Sequence, residues 1–294
     1  MANLKEVRTR IASVNSTMQM TSAMKMVAAS KLRKSQGAIV ALRPYASKMR
    51  EIMCNLSSSM GSSGQGVYAE NRQVNRILVI PVASNKGLCG IFNANVIRAT
   101  QHLIDKDYRA YKESGNIDVL CIGSKAEEVL RSRKYNVVGS RNELLDGVTY
   151  DKAMAFAEEL MKMFVDKKYD KILFVYNQFK NAGSQTLVNE QYLPISVGGD
   201  NDASCQDDDK YIFQPDKAQI LDALTPKSLK MQVYKVLLDS FTSEQGSRMV
   251  AMTKATDNAV ELLKELNVMY NKARQGAITN ELVEIVSGAN ALNG

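Results

Sequence analysis

LKEVRTRIASVNSTMQMTSAMKMVAASKLRKSQ, residues 4–36, carries the apolar stripe from which the architecture of the chain follows. Alternating steps of three and four from Leu4 to Leu56 meet sixteen positions, and thirteen of them are apolar. An apolar repeat of about 3.5 residues over about seven heptads is typical of a coiled coil rather than of a globular helix. Pro44 lies inside the repeat, and we expect it to kink or interrupt the helix just before that point.

The carboxyl-terminal part of the chain carries a second stripe. The same steps from Ile220 to Gly276 meet seventeen positions, thirteen of them apolar, and the stripe changes phase after Gly276. Thr225-Pro226 is a predicted helix start, because proline is tolerated in the first turn. Helices of about 55 and 65–70 residues would be roughly 80 and 100 Å long, whereas a compact chain of this size is roughly 50 Å across. We therefore predict that the two helices project and pair antiparallel.

One alternative remains open for both stripes. Each stripe can also be read as several ordinary core helices that are separated at breaks. The candidate breaks are Gly37, Pro44, Gly246 and Gly276. An interior glycine costs a helix only about 1 kcal/mol, which favours the continuous interpretation.

The middle of the chain alternates strand-like and helix-like segments. Residues 57–66 are rich in Ser and Gly and predict a linker. The predicted strands are residues 76–82, 117–122, 135–138 and 171–176, with late or edge strands at 186–194 and 211–214. The predicted helices are residues 91–112, 125–133 and 150–165. Such alternation predicts a parallel, Rossmann-like three-layer α/β/α domain.

The fold class is therefore α/β with a long antiparallel coiled coil. The predicted division is a helix over residues 1–56, an α/β domain over 67–215 and a helix over 216–294.

The composition is that of a folded chain. The 294 residues are 45% hydrophobic and 23% charged, which excludes a disordered or fibrous protein. No apolar run approaches the roughly 20 residues that cross a bilayer. Residues 1–6 lack the apolar segment of a signal peptide, so we expect a soluble protein that stays where it is made. Four cysteines without a CxxC pair indicate reduced, cytoplasmic thiols. They are Cys54, Cys89, Cys121 and Cys205.

Basic charge is concentrated at the amino-terminal end. Residues 1–56 hold ten Lys and Arg against Glu6 and Glu51, a net of +8, so that a total of +7 leaves −1 for the rest. A solvated basic face and a partner surface both account for this charge. Aromatic residues make up only 6% of the chain, which argues against nucleic-acid modules that stack bases on aromatic rings.

No complete active site is found in the sequence. Residues 84–90, after the first strand, lack both phosphate-loop patterns and predict a tight turn rather than a phosphate cradle. His102, the only histidine, has charged neighbours and does not support a Ser-His-Asp site. Cys89 has no basic cluster near it in sequence to activate the thiol. The acidic loop 198–209 lacks the spacing of a calcium loop. We predict no catalytic residue, cofactor or metal in this chain.

Several stretches resemble one known family, the gamma subunits of F-type rotary ATP synthases of the bacterial type. The resemblance spans the chain, is most specific at the two ends and is looser between residues 110 and 215. The amino-terminal matches are Thr21–Gln36, Ile11–Val14 and Arg43–Ala46, and Lys86–Gly90 matches in the middle. The carboxyl-terminal matches are Ser243–Met252, Ala255–Asn258 and Tyr270–Ala289.

The resemblance implies a rotor subunit that is not itself an enzyme. In this family an antiparallel coiled coil stands in the cavity of a hexamer of alternating alpha and beta subunits. The α/β head lies on the epsilon subunit and the membrane ring of c subunits. Rotation carries three beta sites through different conformations, which couples proton flow to ATP synthesis or hydrolysis. The implied location is the cytoplasmic face of a bacterial plasma membrane, as a peripheral protein.

The resemblance also implies residue roles. Four polar positions match those that contact beta subunits near the top of the shaft: Arg274, Gln275, Thr279 and Glu284. Further matched positions are assigned to the hexamer, where the family's beta subunits carry an acidic loop: Met24, Lys25, Lys31, Arg33, Lys34 and, from the carboxyl-terminal motif, Arg248. Tyr211 and Gln214 match the foot that meets the c ring and epsilon, although some relatives carry an acidic residue in place of Gln214. The regulatory cysteine insertion of chloroplast relatives is missing, so we predict no thiol switch.

Two other function classes remain open from the residues alone. A basic coiled-coil protein that binds nucleic acid would use the amino-terminal charge, and its binding would weaken steeply with salt. An α/β enzyme would bind a nucleotide in the domain of residues 67–215.

Overall fold

The two ends of the chain form long continuous helices. The structure, a computed structural model, describes residues 4–60, 67–70, 72–195, 214 and 216–293. Helix α1 spans Leu4–Met60 and helix α6 spans Lys217–Asn293. Both helices run through the four candidate breaks without interruption, so the alternative of several short helices is wrong. The predicted linker at 57–66 begins later than expected, since residues 57–60 complete α1 and 61–66 lie outside the described residues.

Neither proline ends a helix. At Pro44 the sequence predicted a kink or an interruption. An interruption is wrong, because α1 continues through this residue, and a kink stays a prediction. The predicted start at Thr225-Pro226 is also wrong, since α6 begins nine residues before Pro226. A proline inside a helix costs about 3 kcal/mol. Leu221 and Leu229 on either side of Pro226 are both buried, and burial of about 1.5–3 kcal/mol for each leucine offsets that cost.

The middle of the chain forms one five-stranded sheet. Its strands are β1 Ile77–Pro81, β2 Ile117–Cys121, β3 Val137–Ser140, β4 Lys171–Asn181 and β5 Ser184–Leu193. Their order in the sheet is β3-β2-β1-β4-β5. The first four strands are parallel, as predicted, but β5 is antiparallel to β4. The expectation of an entirely parallel sheet is wrong at this edge, because a two-residue connection forms a hairpin and cannot make a parallel crossover.

Helices cover both faces of the sheet and give the three layers that the sequence predicted. These helices are α2 Phe92–His102, α3 Arg109–Glu113, α4 Ser124–Ser132 and α5 Tyr150–Val165. Val96 of α2 and Leu130 of α4 pack in the apolar core on one face. Phe156 of α5 and Val233 of α6 pack in the core on the other face. The predicted helix 91–112 is three pieces, since a π-helical turn at Leu103–Asp107 separates α2 from α3.

The chain divides into two compact units. One unit consists of the residues up to Ala28 and from Met249 onward, and the other spans Ala29–Arg248. The second unit extends beyond the predicted α/β domain of residues 67–215. It extends because the first part of α6 contributes Leu229, Val236 and other fully buried side chains to the core of the sheet. The acidic loop 198–209 and residues 211–213 of the last predicted strand lie outside the described residues.

Candidate partner-binding surfaces

In the first unit, the ends of α1 and α6 pair antiparallel. Arg8 donates a hydrogen bond to the hydroxyl of Tyr270 at 2.9 Å, and the hydroxyls of Thr21 and Thr256 are 2.9 Å apart. From Arg8 to Thr21 the residue number rises along α1, whereas from Tyr270 to Thr256 it falls along α6. The two helices therefore run antiparallel in this unit. The predicted pairing of the two chain ends is therefore present in this unit.

On α1, the buried face is the predicted stripe. Val7 and Ala28 are buried, and the stripe positions Ile11, Val14 and Met18 between them are half-buried. Neighbours off the stripe, such as Arg8 and Arg10, are exposed, and so is Lys25 at the one charged stripe position. The apolar repeat of α1 thus predicted its contact face correctly.

On α6, the buried face departs from the predicted stripe. The sequence places Leu262 and Met269 in the seam, but both are exposed, whereas Leu263 and Tyr270 are half-buried. From Met252 onward the covered positions still recur every 3.5 residues on average, but the alternate positions of the seam lie one residue later than the sequence placed them. The prediction was therefore wrong by one residue at these two positions.

The last turns of α6 expose apolar side chains on all sides. Residues 277–290 are exposed throughout, including Ile278, Leu282 and Ile285 from the second phase of the stripe. The exposed fraction of Ile285 reaches 67%. Several apolar side chains on one exposed helix segment are typical of a surface that another molecule covers. The four predicted polar contacts Arg274, Gln275, Thr279 and Glu284 are exposed on or beside this segment.

Three of these four residues interact with other residues of the unit: Arg274, Gln275 and Thr279. The Thr279 hydroxyl donates to the carbonyl of Gln275 at 2.9 Å. The hydrogen bond from Arg8 lowers the pKa of Tyr270, with smaller electrostatic contributions from Arg8 and Arg274.

Helix α1 exposes a mixed basic and apolar surface. Met24 and Lys25, in the first unit, are both exposed. The sequence prediction missed three apolar neighbours that are more exposed than Met24: Met20, Met26 and Val27. Their position off the apolar stripe was the signal that could have identified them. Lys31, Arg33 and Lys34, on the part of α1 in the second unit, are exposed as well.

In the second unit, a polar segment of α6 lies against the carboxyl ends of the strands. Residues 239–245 are nearly all buried, although most of them are polar. The Ser240 hydroxyl donates to the carbonyl of Val82, and the Ser243 hydroxyl donates to the carbonyl of Asn177. The sheet order changes direction between β1 and β4, and open α/β folds bind ligands in the crevice at such a point. Here the chain's own helix fills that crevice.

Arg248 holds the loop that follows β1. Its guanidinium pairs with Glu244 and donates to the carbonyls of Lys86 and Gly87, both at 3.2 Å. The Arg248 side chain is largely buried. Sequence reasoning assigned Arg248 to a partner, whereas the structure places its guanidinium in internal contacts.

The loop itself is a tight turn, as the sequence predicted for residues 84–90. The Ser84 hydroxyl donates to the carbonyl of Lys86 at 2.6 Å, and the Ser84 N–H donates to the side chain of Asn93. Leu88 lies in the left-handed region with φ of 62°. It is exposed, and so is Ile91 just beyond the turn.

The candidate catalytic residues are not assembled into a site among the described residues. His102 is exposed at the end of α2. The Cys89 thiol is buried and accepts a hydrogen bond from Asn93 at 3.3 Å. Burial raises the pKa of Cys121 to about 12. Within the described ranges, we find no cluster of three or more potential metal ligands and no helix apolar and long enough to cross a membrane.

The predicted foot is only partly described. Gln214 is exposed and does not belong to a strand. Tyr211 lies outside the described residues.

These features define a class of protein. The chain is an α/β protein whose terminal helices pair antiparallel and present exposed apolar and polar side chains, as a subunit of a larger assembly does. The sequence model of the ATP synthase family matches residues 3–292. The chain therefore belongs to this family, and the family prediction is confirmed.

Curated relatives match over the full length. The ATP synthase gamma chain of Christiangramia forsetii is 51% identical over 294 residues, covering 100% of both chains. That of Flavobacterium johnsoniae is 50% identical over 295 residues, again covering 100% of both. Nothing in these relatives supports the nucleic-acid alternative.

Solved structures show the same fold. The chain is similar to one from the central stalk and c ring of the Tetrahymena thermophila mitochondrial ATP synthase, with 25% identity and a TM-score of 0.57. That match covers 80% of this chain and 99% of the other. A chain of the Euglena gracilis mitochondrial ATP synthase gives a TM-score of 0.69 at 18% identity, over 98% and 94% of the two chains.

Proposed function

We propose that this chain is the central rotor shaft of a rotary ATP synthase. It transmits torque between a ring of c subunits and a catalytic hexamer of alpha and beta subunits, and it couples proton flow to ATP synthesis or hydrolysis. The observation that carries the proposal is the antiparallel pairing of the two chain ends in the first unit, in a chain that belongs to the ATP synthase family.

The pairing has the mechanical properties that such a role needs. Two helices packed along an apolar seam resist bending and twisting better than one helix does. A pair of unequal helices also presents different side chains in different directions. A rotor can shift the conformational equilibrium of a surrounding site only through contacts that differ between the states of that site.

The exposed end of α6 is the proposed contact with the top of the hexamer. Residues 277–290 expose Leu282 and Ile285 beside the polar residues Arg274, Gln275, Thr279 and Glu284. The surrounding beta subunits would cover the apolar side chains, and the polar side chains would form hydrogen bonds with those subunits.

The basic and apolar surface of α1 is the proposed contact with the lower part of the hexamer. Lys25, Lys31, Arg33 and Lys34 supply positive charge, and Met24 supplies an adaptable apolar side chain. An acidic partner surface complements this charge. Arg248 contributes indirectly, because it holds the loop that exposes Leu88.

The remaining assignments concern the other end of the assembly. We propose that the region of Tyr211 and Gln214 meets the c ring and the epsilon subunit. The chain itself would carry out no catalysis, since α6 fills the crevice in which an α/β sheet binds a ligand. It would act at the cytoplasmic face of a bacterial plasma membrane, as a peripheral subunit.

Co-purification and proton pumping test the proposal. The tagged full chain should purify with alpha and beta subunits and with ATPase activity, and inverted vesicles with the assembled complex should pump protons when ATP is added. Removal of residues 274–294 should abolish or strongly reduce the pumping for each ATP hydrolysed, because the upper contacts are lost. Leu282→Ala alone is the control for loss of one apolar side chain. Full coupling by the truncated chain would contradict the assignment of the upper contacts.

The nucleic-acid alternative gives a different result in a simple assay. It requires binding of duplex DNA or tRNA with a log K that falls by about 0.9 for each phosphate neutralised. We expect no binding near 100 mM salt.

A further inference from the structure

Both backbone polar groups of Phe179, on β4, are bonded to terminal helices. Arg43 of α1 donates from Nη2 to the Phe179 carbonyl at 3.2 Å. The Phe179 N–H donates to the carboxylate of Asp239 on α6. The β4–β5 register shifts between Phe179 and Asn181, and such irregularities leave backbone groups of a strand free for other partners. We call Arg43, the Phe179 backbone and Asp239 the Phe179 clip.

Asp239 is the buried charge of the clip. Its exposed fraction is 4%, and burial raises its pKa to about 6. Lys235, one helical turn earlier, and Arg43 from α1 oppose this shift, as does the Phe179 N–H, whereas Glu190 from β5 adds to it. The carboxyl group therefore takes up a proton at a higher pH than an ordinary aspartate does.

Glu190 is itself held in a polar network. It accepts hydrogen bonds from the Tyr176 hydroxyl at 2.5 Å and from Gln232 at 2.8 Å, and Lys235 lies 3.8 Å away. Lys235 is thus shared between two carboxylates. Arg43 is the cation of this group that comes from α1, so the attraction of α1 to the cluster depends on it.

We propose that the Phe179 clip ties α1 to the sheet, so that turning force passes from the sheet into both terminal helices, and that the charge on Asp239 sets how firmly α1 is held. The proposal rests on the rotor function proposed above. With Asp239 ionised, Arg43 is held by the carbonyl and by the charge. With Asp239 protonated, only the hydrogen bond to the carbonyl remains. Arg43 and Asp239 act as positioning residues.

Coupled pumping in the assembled complex tests this role. Proton pumping for each ATP hydrolysed is measured in inverted vesicles at pH 8, 7 and 6 for Arg43→Met, Asp239→Asn and the double variant, each relative to wild type. Arg43→Met should lower the ratio about threefold at pH 8, a modest loss because Arg43 is exposed, and less at pH 6. Asp239→Asn should lower the ratio at pH 8, and the difference from wild type should be smaller at pH 6, where part of the wild-type carboxyl is protonated. The double variant should be no worse than Arg43→Met.

Two exposed positions on α6, the helix that carries Asp239, provide matched controls. Asp222→Asn and Lys227→Met remove the same kinds of charge from α6 outside the clip, and we expect wild-type ratios at each pH. Wild-type ratios for both Arg43→Met and Asp239→Asn at every pH would overturn the proposal while leaving the rotor function intact. Failure of the wild-type chain to support any pumping would instead contradict the rotor function.

Hydrogen exchange on the isolated full chain tests the holding of α1 without the complex. At pH 8, Arg43→Met should reduce the protection of amides in residues 39–49 about threefold, and the difference should shrink at pH 6. Equal protection of residues 39–49 in wild type and Arg43→Met at both pH values would overturn the proposal. A folding defect would show as loss of protection across β1 and β4, which we do not expect.

Discussion

Helix α6 passes through two different environments, although its sequence keeps an apolar period throughout. In residues 229–245 nearly every side chain that faces the sheet is buried, polar ones included. In residues 277–290 every side chain is exposed. A leucine in the first segment contributes to folding, and one in the second is free to contribute to association. The difference shows that an apolar stripe marks which side chains need covering but not what covers them.

One substitution in each segment tests this difference, and the first of the two has the largest effect that we expect. Leu237→Ala removes a fully buried side chain, and we expect unfolding to become easier by about 2–5 kcal/mol. Leu282→Ala removes an exposed one, and we expect a change within about 0.5 kcal/mol. Urea unfolding of the isolated chain measures both. Similar losses for the two variants would mean that the second segment is also covered in the isolated chain.

The second effect concerns the buried charge pair on α6. Arg248→Met leaves the buried Glu244 carboxylate without its cation, and we expect a loss of about 3 kcal/mol at pH 8. Burial already raises the pKa of Glu244, and Arg248 opposes that shift. Without Arg248 the pKa rises further. As the pH falls through this raised pKa, the Glu244 carboxyl of the folded state takes up a proton and its unpaired charge is removed. The loss of stability should therefore diminish as the pH falls toward 5.

A double variant provides the control for this prediction. Glu244→Gln combined with Arg248→Met removes the unpaired charge, so part of the stability should return and the added pH dependence should vanish. A pH-independent deficit in Arg248→Met alone would show that lost packing, not charge, is responsible.

A third prediction compares two glycines of α6. A Cβ at Gly246 would lie 3.0 Å from the carbonyl oxygen of Ala182 in the β4–β5 hairpin, so the hairpin has to shift. Gly246→Ala should cost about 1 kcal/mol, since this overpacking exceeds the gain in helix propensity. Gly276→Ala meets nothing within 4 Å and should stabilise by about 0.5–1 kcal/mol. Thermal unfolding shows whether each substitution raises or lowers the stability of the chain. Higher stability in both variants would show that the hairpin shifts without a loss of stability.

The smallest expected effect is at the half-buried Tyr270. The hydrogen bond from Arg8 lowers the pKa of Tyr270, so Tyr270 should titrate at lower pH than a free tyrosine. Arg8→Gln should raise that pKa back toward its ordinary value. Following the Tyr270 ring by NMR against pH in wild type and in Arg8→Gln tests this. An unchanged titration in Arg8→Gln would mean that the two helices are not held in this register in solution.

Patterns within the sequence predicted much of the fold. The stripe of α1 identified Val7 and Ala28 as contact positions, and the runs at β1 and β2 were placed to within one residue. The start of β4 was also correct, although this strand runs on to Asn181, beyond the predicted 171–176. Local patterns succeeded here because a side chain's face on a helix or strand follows from its number along the chain. The helix start predicted at Pro226 was wrong, because burial of Leu221 and Leu229, which sequence alone does not show, offsets the local cost of proline.

The candidate surfaces were predicted less completely. The shift from Leu262 to Leu263 in the seam depends on how the helix is wound against its partner, which the sequence period does not fix. The sequence assigned Arg248 to a partner surface and did not predict its bonds to the carbonyls of Lys86 and Gly87, which join residues about 160 positions apart. Such contacts exist only once the chain has folded.

The sequence by itself determined the kinds of elements, the family and the location of the basic charge, since periodicity, motifs and charge are written in residue order. Only the tertiary structure decided that β5 turns back antiparallel, that α6 fills the crevice of the sheet and that Asp239 is buried beside Phe179. Burial and hydrogen bonding between distant residues depend on positions in space, and residue order restricts those positions without specifying them.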